Sequence, residues 1–121
     1  VNAEALIAQI KRHPRYAEVG MILCHNGVVR ATSRDGRAVT GLRVAVDHRK
    51  LSAAVADGKK MPGVVEVLVE IAEDRDLAVG EDVMLLVVAG DIRENVLAAL
   101  EKTLNTIKTA VTHKTEFFTE P

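Results

Sequence analysis

The chain has 121 residues, 48% of them hydrophobic, which suffices for one continuous core and excludes two independent domains, so a single domain over residues 1–121 is expected. Its 16 basic and 17 acidic residues nearly cancel, which excludes a global field for nucleic acid or an anionic membrane and makes any anion site local. Two Phe, one Tyr and no Trp supply no stacking platform for single-stranded nucleic acid, and the lone Cys24 excludes an internal disulfide.

In chain order, Asn2 is placed to cap a first helix whose Leu6, Ile7 and Ile10 share a face, with His13-Pro14 marking its end. The apolar run 19–24 continues through Asn26-Gly27 into Val28-Val29-Arg30, the pattern of a strand bent by a glycine bulge. Residues 33–37 are polar and contain Asp35-Gly36, predicting a hairpin loop with a return strand over 38–46. Asp47 then caps a brief helix carrying Leu51, Ala54 and Val55 that stops near Asp57-Gly58, ahead of Met61-Pro62-Gly63.

Over 64–71, Val65, Val67, Val69 and Ile71 alternate with Glu66, Leu68 and Glu70, the period of a strand with one face on the core. Turns at 74–76 and 79–82 lead to a strongly apolar strand over 83–89. Asp91 begins the longest helix, with Glu94 as capping-box partner and Ile92, Val96, Ala99, Leu100, Leu104, Ile107 and Val111 as the buried stripe. The tail is polar after Thr112 until Phe117-Phe118, an apolar pair expected to dock on the body or on a partner. No apolar stretch has signal-peptide or membrane-spanning character, so a cytoplasmic location without membrane contact is the default expectation.

Taken together, these elements imply an α+β domain with mostly antiparallel sheet, an N-terminal helix, a short middle helix and a long C-terminal helix. Four local patterns resemble the large, catalytic subunit of molybdopterin synthase. Gly20-Met21-Ile22-Leu23 followed by Gly27-Val28-Val29-Arg30 is similar to that family's glycine-led strand ending in Gly-x-Val-Arg. The stretch from Arg34 to Leu42 resembles its flexible loop and following strand. Leu77-Ala78-Val79-Gly80-Glu81-Asp82-Val83 resembles its Leu-x-x-Gly-Glu turn, Arg93 stands where its long helix opens with a His-Arg pair, and Ile107-Lys108-Thr109 followed by Lys114 resembles its closing Leu-Lys-Thr and Lys-containing segment.

The resemblance implies a hammerhead-like fold and an enzyme that inserts two sulfurs into a cyclic pyranopterin monophosphate. It implies a ubiquitin-like sulfur-carrier small subunit that delivers sulfur as a C-terminal Gly-Gly thiocarboxylate, and a homodimer of large subunits. It implies no resident cofactor, the pterin phosphate being the substrate.

Such chemistry needs cations that hold an anionic sulfur, a phosphate and the carboxylate left behind. Lys108 and Lys114 are the catalytic candidates implied; each is, as an isolated residue, an ordinary solvated lysine, and Lys108 suits a helix C-terminus. Arg30 and Arg93 are the implied substrate-binding arginines, with Arg34 and Arg37 of the loop behind them; surface ion pairs are the bland alternative for all four. Cys24-His25 invites a nucleophile reading, but strand neighbours point to opposite faces, so Cys24 is expected to be structural. His13, His48 and His113 show no metal-ligand spacing, and no structural metal is expected. The run His48-Arg49-Lys50 and the pair Lys59-Lys60 read as solvated helix surface.

Three departures stand against the resemblance. Ile92 occupies the place of the family's histidine before Arg93, and a hydrocarbon can neither donate a hydrogen bond nor carry a proton. Ala72-Glu73 stands where the family often has His-Arg, and the stretch 44–47 lacks its Glu and Tyr. A non-catalytic relative that binds a ubiquitin-like tail or a pterin-like anion is therefore the second reading, and a dimeric structural domain the third.

Overall fold

Asn2 has extended backbone, and its side chain accepts a hydrogen bond from the Ala5 amide at 2.7 Å, which satisfies one of the amides a helix start leaves unpaired. The computed structural model, which describes residues 2–119, thus begins with the expected helix α1 (Ala3–Lys11). After a short 3-10 turn at Tyr16–Glu18, the remaining elements are β1 (Met21–Val28), β2 (Val39–Val46), α2 (His48–Lys59), β3 (Val64–Ile71), β4 (Leu77–Ala78), β5 (Asp82–Gly90), α3 (Arg93–Thr106) and β6 (Thr112–Phe118), with a single π turn, Ile107–Val111, joining α3 to β6. This is an α+β fold with three helices and antiparallel sheets, as expected. Among the described residues, no helix is long and apolar enough to cross a membrane.

Six strands form two three-stranded sheets, ordered β1-β5-β3 and β4-β2-β6. The most apolar strand, β5, lies at the centre of the first sheet, where both of its edges are paired and both faces covered. Its side chains alternate: Met84, Leu86 and Val88 pack under α2 and α3, while Leu85, Val87 and Ala89 meet Leu6 and Ile10 of α1. Residues 85–89 are at most 2% exposed, and each buried Leu or Val contributes about 1.5–3 kcal/mol relative to exposure. A third cluster, Val29, Leu42, Val44 and Leu77, joins the two sheets.

Several expectations hold in detail. Asp47 caps α2 through the Lys50 amide at 3.1 Å, β3 pairs antiparallel with β5, and β1 is bulged between Gly27 and Val28. The Phe117-Phe118 tail docks on the body, because β6 pairs with β2 from Val46↔Thr112 to Val39↔Phe118.

Other expectations are corrected. The turn over 33–37 exists, closed by Ser33 accepting the Arg37 amide and by the bridge Thr32↔Ala38, but β1 and β2 are not a hairpin. They diverge into different sheets, since β5 takes the pairing edge of β1 and β6 that of β2. Helix α2 ends at Lys59, one residue past Gly58, so its expected stop near Asp57-Gly58 holds, while the expected role of Gly58 does not. That glycine is buried inside it, and a Cβ there would lie 2.7 Å from Thr103 Oγ1 of α3, so the residue serves close helix packing rather than termination.

Asp91 does not cap α3. Its amide is tied to the Gly63 carbonyl at the sheet end, which delays the helix, and Ile92 becomes the N-cap with no side-chain bond. The Asp91 carboxylate instead accepts from the Ile92 amide at 2.6 Å and Asn95 at 2.9 Å, so no capping box with Glu94 forms. Ile92 also leaves the buried stripe, being 53% exposed, whereas Thr103 joins it at 2%.

Candidate functional site

Alternation along β1 decides which of its side chains meet the space between the two sheets. Cys24 pairs with Val87 and joins the α1 side of the sheet, while His25 pairs with Leu86 and faces the α3 side, so the two neighbours part as expected. Beyond His25 the Gly27 bulge turns the chain out of the first sheet. Val29 is thereby buried in the inter-sheet cluster, and Arg30 emerges at the mouth of a cavity.

This cavity has a volume of about 610 Å³. Its apolar floor is Leu42 and Val44 of β2, Ile71 of β3, and Val83 and Met84 of β5. Around the floor stand Arg30 and Arg34 from the β1–β2 connection, Lys108 from the π turn and Lys114 from β6, with Glu116 as the one carboxylate among the described residues. Among the described residues, four cations against one anion over a low-dielectric floor form a local positive field in a chain whose overall charge is near zero.

The π turn explains how Lys108 reaches the cavity. Ile107 and Val111, 0% and 4% exposed, anchor the turn in the core beneath α3. The widened backbone, closed by Thr112 Oγ1 donating to the Ile107 carbonyl at 3.2 Å, lets Lys108 and Thr109 project outward between those anchors. Single π turns recur at functional sites for this reason. Arg30 is oriented by its Nε, which donates to the Thr32 carbonyl at 2.8 Å, leaving the terminal guanidinium nitrogens without a partner among the described residues. Lys114 has only a loose contact with Glu116 at 3.9 Å.

The cavity thus gathers Arg30, Lys108 and Lys114 from three separate chain segments, together with Arg34. It does not include Arg37 or Arg93. The Arg37 guanidinium lies over the Phe118 ring, 3.6 Å from its centroid, and clamps the end of β6 to the loop. Arg93 is exposed at the start of α3, 3.6 Å from Glu94. Ile92 and Ala72 bring no polar group to the cavity, and Glu73 is engaged by His48 Nε2 at 2.7 Å.

The sequence singled out His25 only beside Cys24, in the nucleophile reading set aside above, and not as a site residue; it is the one histidine lining this cavity among the described residues. Its Nε2 is shut off from solvent and has no hydrogen-bond partner among the described residues. Burial, and secondly the Lys108 ammonium, hold the imidazole below its ordinary pKa and favour its neutral form. The available signal was the alternation itself: Leu23, His25 and Gly27 share a face, so a histidine interrupts an inward-facing apolar series next to a bulge.

Chemically, the arrangement suits an occupant with one or two anionic groups and an apolar body. Two ammonium groups and a preoriented guanidinium hold the charge, and the floor takes the remainder. A second cavity of about 370 Å³ is lined by Glu70, Glu81 and Asp82 with Arg75, and its carboxylates repel the same ligands.

Comparison with known proteins agrees with this architecture. The family model described as MoaE protein matches residues 1–110. The molybdopterin synthase structure from Staphylococcus aureus aligns with a TM-score of 0.75 at 18% identity, covering 100% of this chain and 88% of that one. Molybdopterin cofactor biosynthesis protein E from Burkholderia multivorans aligns with a TM-score of 0.75 at 20% identity, over 98% and 82% of the two chains. A chain from the complex of subunits 1 and 2 of the molybdopterin-converting factor of Helicobacter pylori aligns with a TM-score of 0.71 at 18% identity, over 99% and 85%. At such identities these likenesses concern the fold. No functionally curated protein matches significantly in sequence.

Proposed function

The chain belongs to the MoaE protein family, and from that premise we propose that it works as the large, catalytic subunit of a molybdopterin synthase, taking sulfur from a thiocarboxylated small subunit. Membership supports a role in molybdenum cofactor biosynthesis, and the sulfur-transfer step is our reading of the cavity. The observation that carries it is the convergence of Arg30, Lys108 and Lys114 on one apolar-floored cavity.

In this reading the C-terminal Gly-Gly tail of a ubiquitin-like partner enters the cavity, and its thiocarboxylate meets the cyclic pyranopterin phosphate there. The thiocarboxylate sulfur bonds to a pterin side-chain carbon as a carbon–oxygen bond at that carbon breaks, the oxygen leaving with the phosphate or as water. Water then attacks the tail's acyl carbon and the carbon–sulfur bond there breaks, leaving the sulfur on the pterin and a carboxylate on the tail. Every species is anionic, so Lys108 and Lys114 stabilise charge throughout, while the Arg30 fork matches a phosphate or carboxylate. The complex of subunits 1 and 2 of the Helicobacter molybdopterin-converting factor supports a partner of this kind. A homodimer of large subunits and a cytoplasmic setting belong to the same reading. Sedimentation at micromolar concentration tests the first; a monomer alone would remove it.

The test is a single-turnover assay with this protein, a thiocarboxylated ubiquitin-like partner and the cyclic pterin substrate, with the dithiolene detected directly. Product formation that is lost in Lys108→Ala supports the reading. Absence of product beside an active control synthase favours the second reading, a non-catalytic relative that binds the tail or a pterin-like anion. One observation speaks for that alternative: Ile92, exposed at the α3 N-cap, offers no proton-carrying group where the related proteins are expected to have one.

A further inference from the structure

The cavity holds a titratable group that the sulfur-transfer reading leaves unused. His25 sits on its wall, half-buried, with Nε2 closed off and without a hydrogen-bond partner among the described residues. A buried polar nitrogen left unpaired is costly in a folded protein, and one at the wall of a charged cavity marks where an occupant changes the balance. We propose that His25 couples anion binding to proton uptake: an anion seated among Arg30, Lys108 and Lys114 enters together with a proton that the imidazole takes from solvent. The inference rests on the cavity being the anion-holding site.

The charges around His25 set the direction of the coupling. From the π turn comes Lys108, from β6 Lys114 and Glu116, and from the β1–β2 connection Arg30 and Arg34. The β5 residues on this face, Met84 and Leu86, are apolar, and Cys24 lies on the opposite face of the sheet. In the empty cavity positive charge dominates, so protonation would add a further cation to a cluster of like sign; burial opposes it as well, and the ring stays neutral. An anion cancels the repulsion and adds attraction, so the imidazolium becomes favourable. By linkage the effect is reciprocal, and the protonated ring must bind the anion more tightly by the same factor. The chemistry is common to a phosphate group and to a tail carboxylate.

The experiment is an NMR titration of the His25 ring in the full chain, assigned with His25→Gln, free and with saturating probe. Sulfate is the first probe, because its charge is constant across the range. A peptide ending in Gly-Gly, with its terminus as free carboxylate or as amide, is the second. The expected result is a rise in the His25 midpoint of about one unit on saturation, a tenfold gain in proton affinity. Probe affinity should rise by the same factor as the pH falls through that midpoint, and His25→Gln should abolish this pH dependence. A response to sulfate alone assigns the coupling to a phosphate-type ligand, and a response only to the carboxylate peptide assigns it to the tail.

Lys108→Met should raise the midpoint in the free protein. A probe that perturbs Arg30 and Lys108 without moving the His25 titration overturns the coupling and leaves the anion site standing. Failure of both probes to bind the cavity overturns the coupling and the sulfur-transfer reading together. If His25→Gln does not fold, the wild-type titration with Lys108→Met decides the matter.

Discussion

The two sheets of this protein are made from opposite kinds of strand. In β1-β5-β3 the central strand is apolar on both faces and sealed by helices on both sides, with residues 85–89 at most 2% exposed. In β4-β2-β6 only one face is apolar; Leu42 and Val44 point to the other sheet while Thr40, Arg43 and Ala45 face out, and β6 carries His113, Lys114 and Glu116. The contrast teaches a division of labour. The first sheet supplies the stability, and its neighbour supplies a charged wall that the first sheet keeps in place.

Substitutions can break or sharpen that contrast, and the largest effect belongs to the first sheet. Leu86→Ala empties a site that is 0% exposed and should destabilise the fold by about 3 kcal/mol, read by chemical denaturation. A loss below about 1 kcal/mol would place the stability elsewhere. On the cavity side, Lys108→Ala should lower single-turnover rates at least a hundredfold, about 2.7 kcal/mol, while stability changes by no more than about 0.5 kcal/mol. A variant that unfolds instead would show that the π turn depends on its lysine.

Gly58→Val tests the packing of α2 on α3. A side chain there meets Thr103 Oγ1 and Val67, so a loss of about 2 kcal/mol is expected. An unchanged melting midpoint would mean the helices separate freely. Arg37→Ala removes the contact with Phe118 and should cost about 0.5–1 kcal/mol, with faster amide exchange confined to β6. Exchange that stays slow in β6 would show that strand pairing with β2 alone holds the tail.

The smallest effect is the pH dependence of stability from His25. Its folded-state pKa lies below the unfolded value, so the unfolded chain binds the proton more readily. The neutral ring costs nothing above the unfolded pKa of about 6.5, and stability falls as the pH drops from there toward the folded value. His25→Gln should flatten that acid-side decline in melts taken between neutral and mildly acidic pH. An unaltered profile would show the ring is as easily protonated in the fold as out of it.

Local chemistry was legible in the sequence wherever a residue acts on its near neighbours. Asn2 and Asp47 cap their helices because the bonded amide is three residues away, and the alternation of β3 follows from strand geometry alone. Asp91 reads as a cap for the same reason, and fails because a distant carbonyl, that of Gly63, holds its amide in the sheet.

Of the site, Arg30, Lys108 and Lys114 stood out in the sequence by resemblance, and Arg37 and Arg93 were named on the same ground. His25 was weighed only together with Cys24 and not as a site residue, because a histidine inside an apolar strand looks alike whether it faces a packed core or a cavity.

By itself the sequence determined the helices, most of the strands, the bulge at Gly27 and the absence of any strong net field. These depend on side-chain period, capping groups and charge count, all of which act over a few residues or over the whole chain. Tertiary structure alone decided that β1 and β2 part into two sheets, that the polar tail becomes β6, and that a π turn lifts Lys108 out of the core. It also decided that His25 and Lys108, far apart in the chain, line one cavity, where burial first and the Lys108 charge second disfavour the imidazolium. The physical reason is that strand pairing and burial are competitions among distant partners: β5 and β6 win the edges of β1 and β2, and only that outcome creates the space between them.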